Sequence, residues 1–182
     1  MRTTAIFLVT LFCLQAGMGF VSATTPETIN VDGDVSEWST DTELATDSNG
    51  VSLHVTWDST NFYIGWTGTD WASLSNGADL FVYFNTSESG SVLSKDWNFA
   101  HTLPFAADYG LALEDSNYNQ YFSYDGASWA DQGTLDASQI YTGWADNPVT
   151  EMAIPWSVIG SPTTVQFMVY AQWQNEGHVW TS

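Results

Sequence analysis

Apolar and polar positions alternate with a period of two along most of the chain. The pattern recurs in Val51, Leu53, Val55 and Trp57; in Phe62, Ile64 and Trp66; in Leu80, Val82 and Phe84; in Tyr109, Leu111 and Leu113; and in Phe167, Val169, Ala171 and Trp173. Successive side chains of a strand point to opposite faces, so each set marks one buried face of a β-strand. Turn-forming clusters separate the sets: Asp58-Ser59-Thr60-Asn61, Ser75-Asn76-Gly77, Thr86 to Gly90, Asp125-Gly126 and Asp146-Asn147-Pro148. No stretch carries a sustained helical stripe. The pattern predicts an all-β chain folded as an antiparallel two-sheet β-sandwich, jelly-roll-like, because two sheets packed face to face bury such half-apolar strands. Pro155 followed by Trp156 to Gly160 reads as one helical turn serving as a connector. Val179-Trp180-Thr181-Ser182 reads as a strand cut short, which predicts a final strand beyond the end and an open sheet edge without it.

The first residues change the picture of where the chain works. Arg2, the apolar run Ala5 to Leu14 and the small residues up to Ala23 have the layout of a secretory signal. Residues 1–23 are therefore expected to be removed, leaving 24–182 as a single secreted domain, extracellular or periplasmic. The apolar run is too short to span a bilayer comfortably. Cys13, the one cysteine, lies within it, so neither disulfides nor thiolate chemistry is expected in the mature domain.

Charge narrows the partners. The chain carries 21 acids against 2 bases, a formal charge of −19, and Lys95 is the lone base outside the leader. Nucleic acid and anionic lipid are poor partners for such a surface. Excess acid fits a saline habitat, where screening relieves self-repulsion, and equally a cation-binding surface.

Two features could carry chemistry. In Ile29-Asn30-Val31-Asp32-Gly33-Asp34-Val35-Ser36-Glu37-Trp38 the glycine permits a sharp bend, and Asp32 and Asp34 can cap it through backbone N–H groups. The same acids with Glu37 form a hard-oxygen set that would suit Ca²⁺, although the spacing is not that of an EF-hand. Trp38 reads as a plug over the end of the sandwich. The second feature is the 10 tryptophans. Trp57 and Trp66 continue inward-facing strand sets, whereas Trp71, Trp97, Trp129 and Trp144 sit among polar turn residues, where a large ring is costly to leave wet without purpose.

A sugar offers a flat C–H face ringed by hydroxyls and needs an aromatic plate with a hydrogen-bonding rim. Trp71 could supply one plate, and Trp173 with Gln172, Gln174 and Asn175 a second plate and its rim; both rings could equally fill the sandwich end. His54, His101 and His178 share no ligand spacing. Neither a G-x-S-x-G turn nor a phosphate loop is present. Asp108 and Glu151 read as structural or rim residues, and nothing singles out a glycosidase carboxylate pair, so no catalytic residue and no enzyme activity is expected. Asn85-Thr86-Ser87 is an acceptor sequon for hosts that glycosylate.

Five segments occur in order: "INVDGDVSEW", "VTWDSTNFYIGW", "LPFAADYGLAL", "YFSYDGASW" and "TEMAIPWSVIG". Together they resemble family 9 carbohydrate-binding modules and the related DOMON-like β-sandwich domains, over nearly all of the mature chain. The resemblance implies a non-catalytic module that holds a polysaccharide or oligosaccharide between tryptophans, carries structural calcium and is often the front of a larger polysaccharide-degrading enzyme. It also implies one alternative, and the acidic surface offers another. One is a haem-binding electron-transfer domain, with Met152 or Met168 paired with a histidine or Lys95. The other is a calcium-dependent surface-layer or adhesive domain.

Overall fold

The computed structural model describes residues 9–11, 26–39, 43–46, 52–67, 78–87, 89–97, 99–143, 148–173 and 179–180, and gives the backbone only for 9–11, 43–46, 78, 173 and 179–180. Its strands, in chain order, are β1 (Val9–Leu11), β2 (Glu43–Thr46), β3 (Ser52–Trp57), β4 (Asn61–Thr67), β5 (Ala78–Asn85), β6 (Ser91–Leu93), β7 (Thr102–Ala107), β8 (Tyr109–Asp115), β9 (Tyr118–Tyr124), β10 (Trp129–Gly133), β11 (Ile140–Thr142), β12 (Val149–Pro155), β13 (Val165–Trp173) and β14 (Val179–Trp180). The larger sheet runs β1-β13-β5-β8-β9-β10, with β14 also paired to β13; the smaller runs β11-β12-β4-β3-β2; β6 and β7 form a separate ribbon. Apart from the parallel pair of β1 with β13, all pairings are antiparallel. The chain is the predicted β-sandwich.

The alternating sets meet between the two sheets. Leu53, Val55, Trp57, Phe62, Ile64 and Trp66 face Leu80, Val82, Phe84, Leu111, Leu113, Phe167, Val169 and Ala171 in one cluster. Each of the Val, Leu, Ile and Phe side chains contributes about 1.5–3 kcal/mol when fully buried. The turn at Trp156–Ile159 ends at Gly160 in the left-handed conformation (φ 78°), as read from the sequence. It is more than a connector, because Trp156 and Ile159 are buried in this same cluster. The Trp156 indole N–H donates to the Asp58 carbonyl at 2.9 Å, tying the turn to the β3–β4 hairpin.

The outer faces of the sheets are covered as well, which period-two alternation does not announce. On the larger sheet, Phe81, Tyr83, Ala112, Phe122 and Tyr170 pack beneath Leu103, Phe105 and Ala107 of the β6–β7 ribbon. Gly110 makes room there: it stands between Tyr83 and Phe122 in register, and a Cβ on it would meet Tyr83 Cε1 at 2.8 Å. On the smaller sheet, the segment from Ile29 to Trp38 lies over Tyr63 and Ala153.

Val9–Leu11, inside the expected leader, lies beside Val165–Phe167. Loss of residues 1–23 would bare that part of the β13 edge. β14 occupies the same edge further along, opposite Ala171 and Gln172.

Candidate functional site

The acidic bend at the N-terminus is built around a carboxylate from the far end of the chain. Glu151 on β12 is fully buried. Its Oε2 accepts the backbone N–H groups of Asp32 (3.0 Å) and Gly33 (2.7 Å), and its Oε1 accepts the Trp38 indole N–H at 2.8 Å. The Trp38 ring lies over Gly65, where a Cβ would come within 2.8 Å of it. Asp32 Oδ1 caps the N–H of Asp34 (2.9 Å), and Asp34 Oδ1 caps that of Ser36 (3.0 Å). Glu37 takes both the backbone and the side-chain N–H of Asn30, at 2.8 and 2.7 Å. The three candidate calcium ligands thus serve three separate turn contacts, and among the described residues no group of three or more His, Cys, Asp or Glu side chains gathers as a metal site. A Ca²⁺ here would share Asp32 and Asp34 with their turn N–H groups through the second oxygen of each carboxylate, and would compete with Asn30 for Glu37.

Of the expected sugar-binding residues, Trp71, Gln174 and Asn175 lie outside the described residues, as does Trp144, and only the backbone of Trp173 is given. Gln172 is 2% exposed. Its amide donates to the Phe99 carbonyl at 3.3 Å and lies 3.0 Å from His101 Nε2, so it belongs to an internal cluster rather than to an open rim.

That cluster pins the β6–β7 connection to the larger sheet. Asp96 Oδ1 accepts the hydroxyls of Tyr83 (2.8 Å) and Tyr170 (2.6 Å), while its Oδ2 lies 3.7 Å from His101 Nε2. The Asp96 side chain has no exposed surface, and burial raises its pKa against the bonds from Tyr170, Tyr83 and Ser94. Ser94 and His101 bridge the connection through a backbone bond of 2.9 Å and an N–H to Oγ bond of 2.7 Å. The residue next to the pinned Asp96 is Trp97.

Trp97 is half-buried, set edge-on to Phe81 at 6.0 Å and to Tyr118 at 5.1 Å. Tyr118 opens β9 and is 59% exposed. Asp115 fixes the turn before it by accepting the N–H groups of Asn117 and Tyr118 at 2.7 and 2.9 Å. Alternation along β9 puts Gln120 on the same face as Tyr118. Gln120 relays a fixed polarity: its Oε1 accepts the Trp97 indole N–H (3.2 Å), and its Nε2 donates to Asp131 Oδ2 (2.6 Å). A bulge between Asp131 and Gly133, with Gly133 at φ 114°, turns the Gly133 N–H back onto Asp131 Oδ1 at 2.9 Å. That N–H, Gln120 and the charge of Lys95 hold the Asp131 carboxyl below the usual carboxylate range.

Trp97, Tyr118, Asn119, Gln120, Asp131, Gly133 and Thr134 line an open cleft of about 210 Å³. Trp129, flagged with Trp97 in the sequence, is a strut beside it: its indole N–H donates to the Leu93 carbonyl at 2.9 Å and its ring meets Phe122 and Tyr124. A second cleft, of about 320 Å³, lies at the sandwich margin between Tyr109, Tyr121, Ser123, Gln132, Ser157 and Val158. Tyr118, Gln120 and Asp131 escaped the sequence reading because none stands in an unusual local pattern; the exposed aromatic next to a turn aspartate was the one available signal.

No family model matches the chain, and no curated protein matches it.

Of the residues considered for haem, Met152 lies between the sheets, whereas Met168, Lys95 and His101 border the outer aromatic cluster, Lys95 with its Nζ 4.9 Å above the Phe122 ring.

Proposed function

We propose that this chain is a secreted, non-catalytic carbohydrate-binding domain whose binding site is the cleft of Trp97 and Tyr118. The observation that carries the reading is a half-buried tryptophan edge-on to an exposed tyrosine, both lining an open cleft beside polar side chains. A sugar ring laid on the exposed Tyr118 ring, with Trp97 beside it, buries its C–H face and turns its hydroxyls toward Asp131 and Thr134. The relay from Trp97 through Gln120 to Asp131 sets the geometry before the ligand arrives, so little entropy is lost on binding. The domain would hold a glycan for another activity to process; Asp96, whose carboxyl pKa burial raises, is sealed beneath two tyrosines and does not face the cleft. The resemblance to family 9 modules points to the same class of ligand.

The test is tryptophan fluorescence of the purified protein titrated with soluble oligosaccharides, alongside pull-down on insoluble polysaccharides. Saturable quenching by at least one glycan is expected, and Trp97→Ala should weaken that binding about 10- to 100-fold, as for an aromatic anchor worth about 2 kcal/mol. Binding to no glycan, or full binding by Trp97→Ala, would refute the proposal.

A further inference from the structure

Resting on the carbohydrate reading, the cleft's own chemistry narrows the class of sugar. We infer that the Trp97–Tyr118 cleft prefers glycans with a free, protonated amino group, glucosamine-type sugars, over neutral or anionic ones.

The inference comes from asking which polar groups of the cleft remain free for a ligand. Gln120 spends its oxygen on Trp97 and an N–H on Asp131. Asn119 is buried and spends its amide on Leu135, accepting its N–H at 2.8 Å and donating to its carbonyl at 3.4 Å. Gly133 N–H is turned inward to Asp131. The carboxylate of Asp131 is different: each oxygen accepts one bond, and an ionised carboxylate has roughly four acceptor sites. Beside the hydroxyls of Tyr118 and Thr134 and the second amide N–H of Gln120, the exposed Asp131 carboxylate is the one charged group lining the cleft.

A hydroxyl can donate to such a group, but an ammonium does so with charge assistance, roughly doubling the bond's strength. The aromatic walls act in the same sense, since the faces of Trp and Tyr attract cations. Lys95, whose charge reaches Asp131, is held over Phe122 and does not line the cleft. At long range, 21 acids against 2 bases draw cations to the surface and repel uronates and sulfated sugars.

The experiment is calorimetric titration of the purified protein with glucosamine di- and trisaccharides, their N-acetylated forms and glucose oligomers of the same linkage and length. It is run at a mildly acidic pH that keeps the amine protonated, at low and high salt. Short ligands limit non-specific attraction of a polycation to an acidic protein. The free-amine sugar should bind about tenfold more tightly at low salt, with the margin shrinking as salt screens it. Asp131→Asn removes one charge of 21 acids and lies on the surface, so it should fold normally. It should weaken the free-amine sugars more than the neutral ones and so bring the two to equal affinity. Equal affinity for free-amine and neutral sugars, or a preference that survives in Asp131→Asn, would overturn the inference and leave the carbohydrate reading standing. Binding of no sugar, or binding that survives in Trp97→Ala, would overturn both.

Discussion

Replacing Glu151 by glutamine tests how the N-terminal segment is locked to the sandwich. The substitution keeps the volume and removes the charge that receives three N–H donors, from Asp32, Gly33 and Trp38. The glutamine oxygen can keep the two backbone donors only by turning its NH₂ toward the Trp38 indole, so that two donors face each other without water. A hydrogen bond to a charged group contributes about 1.5–3 kcal/mol, and a buried donor left unpaired costs about 1–3 kcal/mol. Glu151→Gln should therefore cost about 2–5 kcal/mol, a large share of a total stability of about 5–15 kcal/mol. Removing one acid from so acidic a chain relieves some self-repulsion, so the comparison belongs at high salt, where that term is screened. Guanidinium unfolding followed by tryptophan fluorescence gives the difference, and limited proteolysis should cut first within residues 26–39. A loss below about 0.5 kcal/mol, with the segment equally resistant to protease, would show that Glu151 is not the clasp.

Other perturbations follow from the same contacts. Gly65→Ala should destabilise by about 1–3 kcal/mol, because its Cβ would strike the Trp38 ring; an unchanged unfolding midpoint would count against the packing described. For Asp96 the folded pKa is raised, so the folded state binds the proton more tightly than the unfolded chain, and this contribution to stability is lost as pH rises through the folded value. Between about pH 4 and about pH 5.5, below the ordinary histidine range, the stability of Asp96→Asn relative to wild type should thus increase with pH; a constant or decreasing difference would contradict a desolvated Asp96. Tyr170→Phe removes one of that carboxylate's two phenol donors and should both destabilise the fold by about 1–3 kcal/mol and loosen Trp97, seen as a weaker glycan affinity. Asp32, Asp34 and Glu37 cap turns here; with that as their whole role, chelation leaves the melting temperature unchanged, whereas a rise on adding Ca²⁺ would show that the bend also binds the metal.

The inner faces of the sandwich were legible in the sequence because a strand buried on one side writes its burial every second residue. Leu53 to Trp57 and Phe62 to Trp66 did so, and so did Phe167 to Ala171. The outer faces were not, although the unbroken run Leu80-Phe81-Val82-Tyr83-Phe84 is what a strand buried on both sides produces. The bend at Asp32-Gly33-Asp34 was readable as a turn from local chemistry, but its attachment to Glu151 was not, since 119 positions separate Asp32 from it. The cleft shows the same limit. Trp97 drew notice as a large ring among polar residues, while Tyr118, Gln120 and Asp131 reach it only through the β8–β9–β10 meander. Gln172 looked like a rim amide and is instead inside, because the β6–β7 connection covers the outer face of β13 and brings Phe99 and His101 onto its amide.

The most direct test of the central claim observes the indole N–H resonances of the protein, assigned by single Trp→Phe variants, while a bound oligosaccharide is added. Trp97 should shift with saturation, whereas Trp38 and Trp156, whose N–H groups are buried against Glu151 and the Asp58 carbonyl, should stay in place. A ligand that binds and moves Trp38 or Trp156 but leaves Trp97 still would contradict the assignment of the cleft.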